Sequence, residues 1–133
     1  MKLLGVISAV QLGLGFLGLR KALHDGTEYD RGFMCGSPAT IRRDLWFMGT
    51  NLSPPAWMLL AQALATVLLM TRHRSSAAKM LGILGVMMSL GYPAEKSVRQ
   101  AWRHPTRSIT ALTLVAELLA VSMAWLGLRR QLR

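Results

Sequence analysis

The sequence predicts an all-α, polytopic membrane protein: an antiparallel bundle of four transmembrane helices, with a short interfacial amphipathic helix over about 94–104. Three observations predict it. The chain of 133 residues is 52% hydrophobic, and that content is gathered into long runs rather than dispersed. Basic stretches separate the runs, and all sixteen Lys and Arg fall at run ends or in loops, where headgroups and topology favour them. Three of the four runs also carry a central group of strong hydrogen-bonding capacity: Gln11, Gln62 and Glu117.

The runs are 3–19, 56–71, 77–92 and 109–128. At 1.5 Å per residue they reach about 24–30 Å, so the middle two are short but serviceable spans. The first begins after Lys2 and ends at Arg20–Lys21. It has the outline of a signal peptide, but no small-residue cleavage site follows it, so an uncleaved first membrane helix is expected. Pro54–Pro55 starts the second run, proline being tolerated in a first turn. Trp57 lies at the end where an interfacial indole belongs. The third run holds Lys79 near its start, from where the side chain can snorkel to the surface. Tyr92–Pro93 ends it with an interfacial tyrosine and a breaker. Arg129, Arg130 and Arg133 close the fourth.

The connections differ in character. Residues 72–76 make a tight basic hairpin. In 94–104, Val98, Ala101 and Trp102 share one helical face beside Lys96, Arg99 and Arg103, the pattern of a basic amphipathic helix at the interface. The polar loop 20–54 holds most of the acids, and Leu45–Met48 within it would dip into the interface. The net charge of +10 raises nucleic acid as a partner, but the location of the charges assigns them to lipid headgroups instead. Seven Lys and Arg would face one side of the membrane and nine the other, so the orientation stays open.

Helices in a bilayer meet through small residues and through hydrogen bonds between polar ones. Each run has such a stripe. They are Ser8, Gln11, Gly15 and Gly18 in the first, and Met58, Gln62, Ala65 and Thr66 in the second. The third has Gly82, Gly85 and Ser89, and the fourth has Thr110, Thr113, Glu117, Ala120 and Ala124. These faces are expected to look inward, with Gln11, Gln62 and Glu117 at similar depth and the glycine face of the third run closest to a neighbour. Gly13-x-Gly15-x-x-Gly18 has the letters of a dinucleotide fingerprint. No strand precedes it and no helix starts after it, so helix packing is the expected role.

Glu117 is the main candidate site residue. A charge at the bilayer centre costs roughly 2.5–3.5 kcal/mol, whereas a hydrogen bond from a protonated carboxyl to Gln62 or Gln11 returns only about 0.6 kcal/mol. That imbalance favours a proton, cation or ligand site with Gln11 and Gln62 orienting the ligand. His24, Asp25, Glu28 and Asp30 form a polar cluster after the first run, read as a solvated loop start, and no metal site or cofactor is expected. Cys35 is the single cysteine, so no disulfide forms within the chain, and it is expected to be an inert loop thiol. Arg42, Arg43 and Asp44 are expected to anchor headgroups without specificity.

In size and four-helix layout the chain resembles the small multidrug resistance transporters, a family with one essential membrane glutamate. There the glutamate lies in the first helix; here that helix carries Gln11, the carboxylate is in the fourth, and the first connection is much longer. DoxX-like four-helix proteins have a similar layout, without a shared motif in this chain. Three functions are expected in order. The first is binding or transport of a lipophilic or cationic small molecule at Glu117, in the cell membrane. The second is an accessory subunit of a larger membrane complex, or a homo-oligomer meeting through the same glycines. The third is an enzyme acting on a lipid or isoprenoid with Glu117 as general acid, which lacks an identifiable second catalytic group.

Overall fold

A computed structural model describes residues 2–25, 39, 41–50, 53–71, 73–105 and 107–129. Of these, 87% are helical, and no strand longer than the isolated Thr50–Ser53 bridge is present among them. The order is α1 (Lys2–Asp25), α2 (Ile41–Phe47), α3 (Ala56–Leu68), α4 (Arg74–Ala94), α5 (Lys96–Arg103) and α6 (Arg107–Leu128). Three of them, α1, α4 and the Ile109–Leu128 part of α6, are long and apolar enough to cross a membrane. The fourth apolar helix, α3, has 13 residues, about 20 Å at the standard rise. The principal contacts run α4–α6, α1–α6, α3–α4 and α1–α3.

Element ends shift where local chemistry overrides hydropathy. α1 continues past the apolar run to Asp25, and an ion pair of 2.7 Å between Lys21 and Asp25, one turn apart, supports this polar extension. α3 stops at Leu68 rather than 71, as the chain tightens into turns with Met70 N–H on the Val67 carbonyl and Thr71 N–H on that of Leu68. α4 starts at Arg74 rather than 77 and takes in Pro93 in its last turn. Arg99 of α5 then donates to the Pro93 and Ala94 carbonyls at 2.8 and 2.7 Å, satisfying acceptors that the end of α4 leaves open. Within the polar loop, 41–47 forms α2. Glu28, Asp30 and Cys35 lie outside the described residues.

The inward stripes are close to those expected. α1 buries Leu4, Ser8, Gln11, Gly15, Gly18 and Ala22, while Gly13 is exposed, so the glycine triplet sits on one continuous packing helix. α5 presents Val98 and Ala101 to α4 and α6, and Trp102 donates from Nε1 to Thr113 at 3.1 Å. Its apolar face is thus occupied by protein, with Lys96, Arg99 and Arg103 outward. Large apolar side chains cover the outside of the helices, including Leu17, Leu64, Met70, Leu90 and Leu118. Water would penalise that coat at about 25 cal/mol per Å², and lipid would not.

The tightest seam joins α4 to α6. A Cβ on Gly85 would stand 2.5 Å from the Ala124 nitrogen and 2.7 Å from the Ala120 carbonyl oxygen. One on Gly127 would meet the Ala78 oxygen and the Gly82 nitrogen, both at 2.5 Å. Side chains cannot yield here, because the opposing atoms are backbone. Ala120 is fully buried in this seam, and Ser89, one turn beyond Gly85, returns its hydroxyl to the Gly85 carbonyl at 2.9 Å. Gly15 differs, its near neighbour being the movable Leu59 side chain at 2.6 Å. Gly85→Val is therefore expected to cost at least 1–3 kcal/mol through overpacking, whereas Gly91→Ala, with nothing within 4 Å of its Cβ position, stays near neutral. Thermal unfolding of both variants in one detergent checks the contrast.

Candidate functional site

Gln11 and Gln62 are 1% and 0% exposed, so their amides must find partners inside the protein. Gln62 Nε2 donates to the Ser8 carbonyl at 2.9 Å and to Ser8 Oγ at 3.3 Å. Ser8 Oγ and Thr66 Oγ1 are 2.7 Å apart, and Thr66 Oγ1 donates to the Gln62 carbonyl at 2.7 Å. With Ser8 donating to Thr66, the bonds close a ring from Gln62 through Ser8 and Thr66 back to Gln62, joining α1 to α3. One turn further along α1, Gln11 Nε2 donates to the Tyr92 hydroxyl at 3.3 Å and approaches Met88 Sδ at 3.8 Å. This second link ties α1 to α4.

Glu117 takes a different position. The buried stripe of α6 runs through Thr113, Ala116, Ala120, Met123 and Gly127. At 3.6 residues per turn, residue 117 falls on the flank of that stripe. Its side chain is half-buried: Oε2 is enclosed and has no hydrogen-bond partner. No hydrogen bond links Glu117 to Gln11 or Gln62, and those two amides bond to different partners. The Gln11 and Gln62 Oε1 atoms are likewise buried without partners. Three buried acceptors on α1, α3 and α6 thus lack donors, while the Gln11 and Gln62 amide nitrogens are engaged.

Tyr92, expected at the membrane interface, is 7% exposed, and its hydroxyl accepts from Gln11, so its side chain packs against the protein at the end of α4. Residue 92 is two turns beyond Gly85, on the same face of α4.

A cavity of about 240 Å³ lies between the start of α3 and the end of α4. Phe47, Trp57, Met58 and Met88 contribute its apolar walls, and Thr50, Tyr92 and Glu95 its polar ones. Gly49 positions Thr50. Its φ of 78° is left-handed, and a Cβ there would stand 2.6 Å from the Ser53 carbonyl oxygen. The glycine ends the α2 segment by reversing the chain, and Thr50 N–H then bonds the Ser53 carbonyl at 2.9 Å. Gln11, Gln62 and Glu117 do not line this cavity. Elsewhere, His24 pairs with Asp25 at 3.1 Å and Arg43 with Asp44 at 3.3 Å, both in exposed settings. Among the described residues no three His, Cys, Asp or Glu side chains gather as a metal would require.

Comparisons with protein-family models, curated proteins and solved structures find no match to this chain. The polar network thus has to be read from its own geometry. Ser8 is its node: Ser8→Ala removes the hydroxyl that links Gln62 to Thr66 and leaves the Ser8 carbonyl and Met123 Sδ for the amide. A loss of about 1 kcal/mol is expected, measured as a shift in the unfolding midpoint, and the double variant with Thr66→Val should be less than additive.

Proposed function

We propose that this chain is a small integral protein of the cell membrane. In this reading α1, α3, α4 and α6 form an antiparallel bundle of four transmembrane helices, with α5 at one interface. The bundle binds or transports a lipophilic or cationic small molecule at a polar site centred on Glu117, with Gln62 and Gln11 beside it. The observation that carries the reading is the surplus of acceptors. Glu117 Oε2, Gln11 Oε1 and Gln62 Oε1 are all buried and all lack a donor. Each buried polar atom without a partner costs about 1–3 kcal/mol, and a cation or donor-bearing ligand removes that cost at several of them. The half-buried position of Glu117 supports access, since a carboxyl sealed in a packed core would be closed to exchange.

Labelling with dicyclohexylcarbodiimide in native membranes, followed by peptide mapping, tests this. The reagent attacks protonated carboxyls reachable from lipid. Glu117 is expected to be modified selectively, faster as pH falls, and several-fold more slowly with the lipophilic cation tetraphenylphosphonium present. Absence of modification at Glu117, together with normal assembly of Glu117→Gln, defeats the reading and leaves the carboxyl a packing group. Co-purification of a stoichiometric foreign subunit with that variant would then favour an accessory role.

A further inference from the structure

We infer that the groove on the outer side of α3 and α4 binds an anionic phospholipid, with its phosphate at Lys79 and an acyl chain along the groove. The groove has a volume of about 370 Å³. On α4, Ser76, Met80 and Ile83 line it at steps of four and three residues, so they form one stripe on one face, with Lys79 beside them. On α3, Trp57 and Ala61 line it one turn apart. Ile83 is 47% and Trp57 42% exposed, so the groove is open along its flank and a lipid enters it from the side.

Charge fixes the sign of the headgroup. Lys79 is exposed and makes no ion pair with any described residue. It stands five residues into α4, about 8 Å along the axis from the helix start. From that depth a lysine reaches the phosphate level by extending its stem along the apolar surface. The elements packed around this end add cations and no acid. The Leu69 side chain lies 3.9 Å from the Cβ position of Gly5, and that of Leu128 2.8 Å from the Cβ position of Gly82. The start of α1 and the end of α6 therefore sit beside the α3–α4 turn. Residues 1–10, 64–83 and 122–133 carry seven Lys and Arg and no Asp or Glu. Basic sites beside membrane helices select anionic headgroups. An acyl chain alone would leave Lys79 without a counter-charge, and soluble phosphate would leave the apolar stripe uncovered. A phospholipid of net negative charge uses both. The inference rests on the membrane placement proposed above and not on Glu117, which does not line the groove.

The test is native mass spectrometry of the full-length protein extracted from membranes in mild detergent. Palmitoyl-oleoyl phosphatidylglycerol and phosphatidylcholine are added in equal amounts. Phosphatidylglycerol should be retained in preference to phosphatidylcholine by at least about fivefold. Lys79→Gln should remove most of that preference, and Lys79→Arg should keep it. Ile83→Gln puts an amide into the chain groove at an exposed position, and should weaken phosphatidylglycerol at least about threefold. Arg103→Gln removes an exposed cation from α5, at the other end of the molecule, and should leave retention within about twofold of the native protein. Equal retention of the two lipids overturns the inference, and so does full retention in Lys79→Gln. Loss in Lys79→Gln with full retention in Ile83→Gln reduces the site to headgroup adsorption and overturns it as well. A chain that stays in solution without detergent defeats the membrane placement too, whereas lost selectivity in a detergent-extracted chain defeats this inference alone.

Discussion

Backbone rests on backbone where α4 meets α6, and the remaining geometry depends on that contact. Gly82, Gly85 and Gly127 remove the side chains that would hold the helices apart, and Ala120 and Ala124 complete the opposing surface. Close approach multiplies dispersion contacts, which carry helix association in lipid, where burial of apolar surface contributes little. The seam also fixes where α6 directs its flank. With Ala116, Ala120 and Met123 committed to the interior, Glu117 is placed beside the protein core rather than within it.

The polar interior follows a different logic from the glycine seam. Ser8 and Gln11 are one turn apart on α1 and reach two different neighbours, α3 and α4. Each such bond is worth little, yet each specifies a register, because a slipped helix would leave a buried amide without its partner. The same network is incomplete on the acceptor side. A core built only for stability would pair Glu117 Oε2, Gln11 Oε1 and Gln62 Oε1. Thr50 Oγ1 in the cavity is unpaired in the same way.

The cavity and the polar centre share a wall but arise differently. α4 contributes Met88 and Tyr92 to both. The turn after α2 contributes Thr50, held in place by the left-handed Gly49. α5 closes the same end of the molecule, with Arg99 capping the carbonyls of α4. These hydrogen bonds tie the α2 turn and the α4–α5 junction on either side of the cavity.

Periodicity and hydropathy alone determined the helical class, the stripes on α1 and α3, the glycine face of α4 and the amphipathic pattern of α5. These are local properties: a repeat of 3.6 places Ser8, Gln11, Gly15 and Gly18 on one face whatever they touch. Glu117 was legible as an anomaly because one charge in an apolar run is visible without a structure. Its position on the flank was not, because the rotation of α6 was decided by Gly127 and Ala120 against α4. Tyr92 was legible as a residue near the end of α4, but only the packing of α1 against α4 brings its hydroxyl to Gln11. The cavity was out of reach for the same reason. Phe47, Thr50 and Trp57 come from one stretch and Met88 from another, and only the packing of α3 on α4 brings the two stretches together.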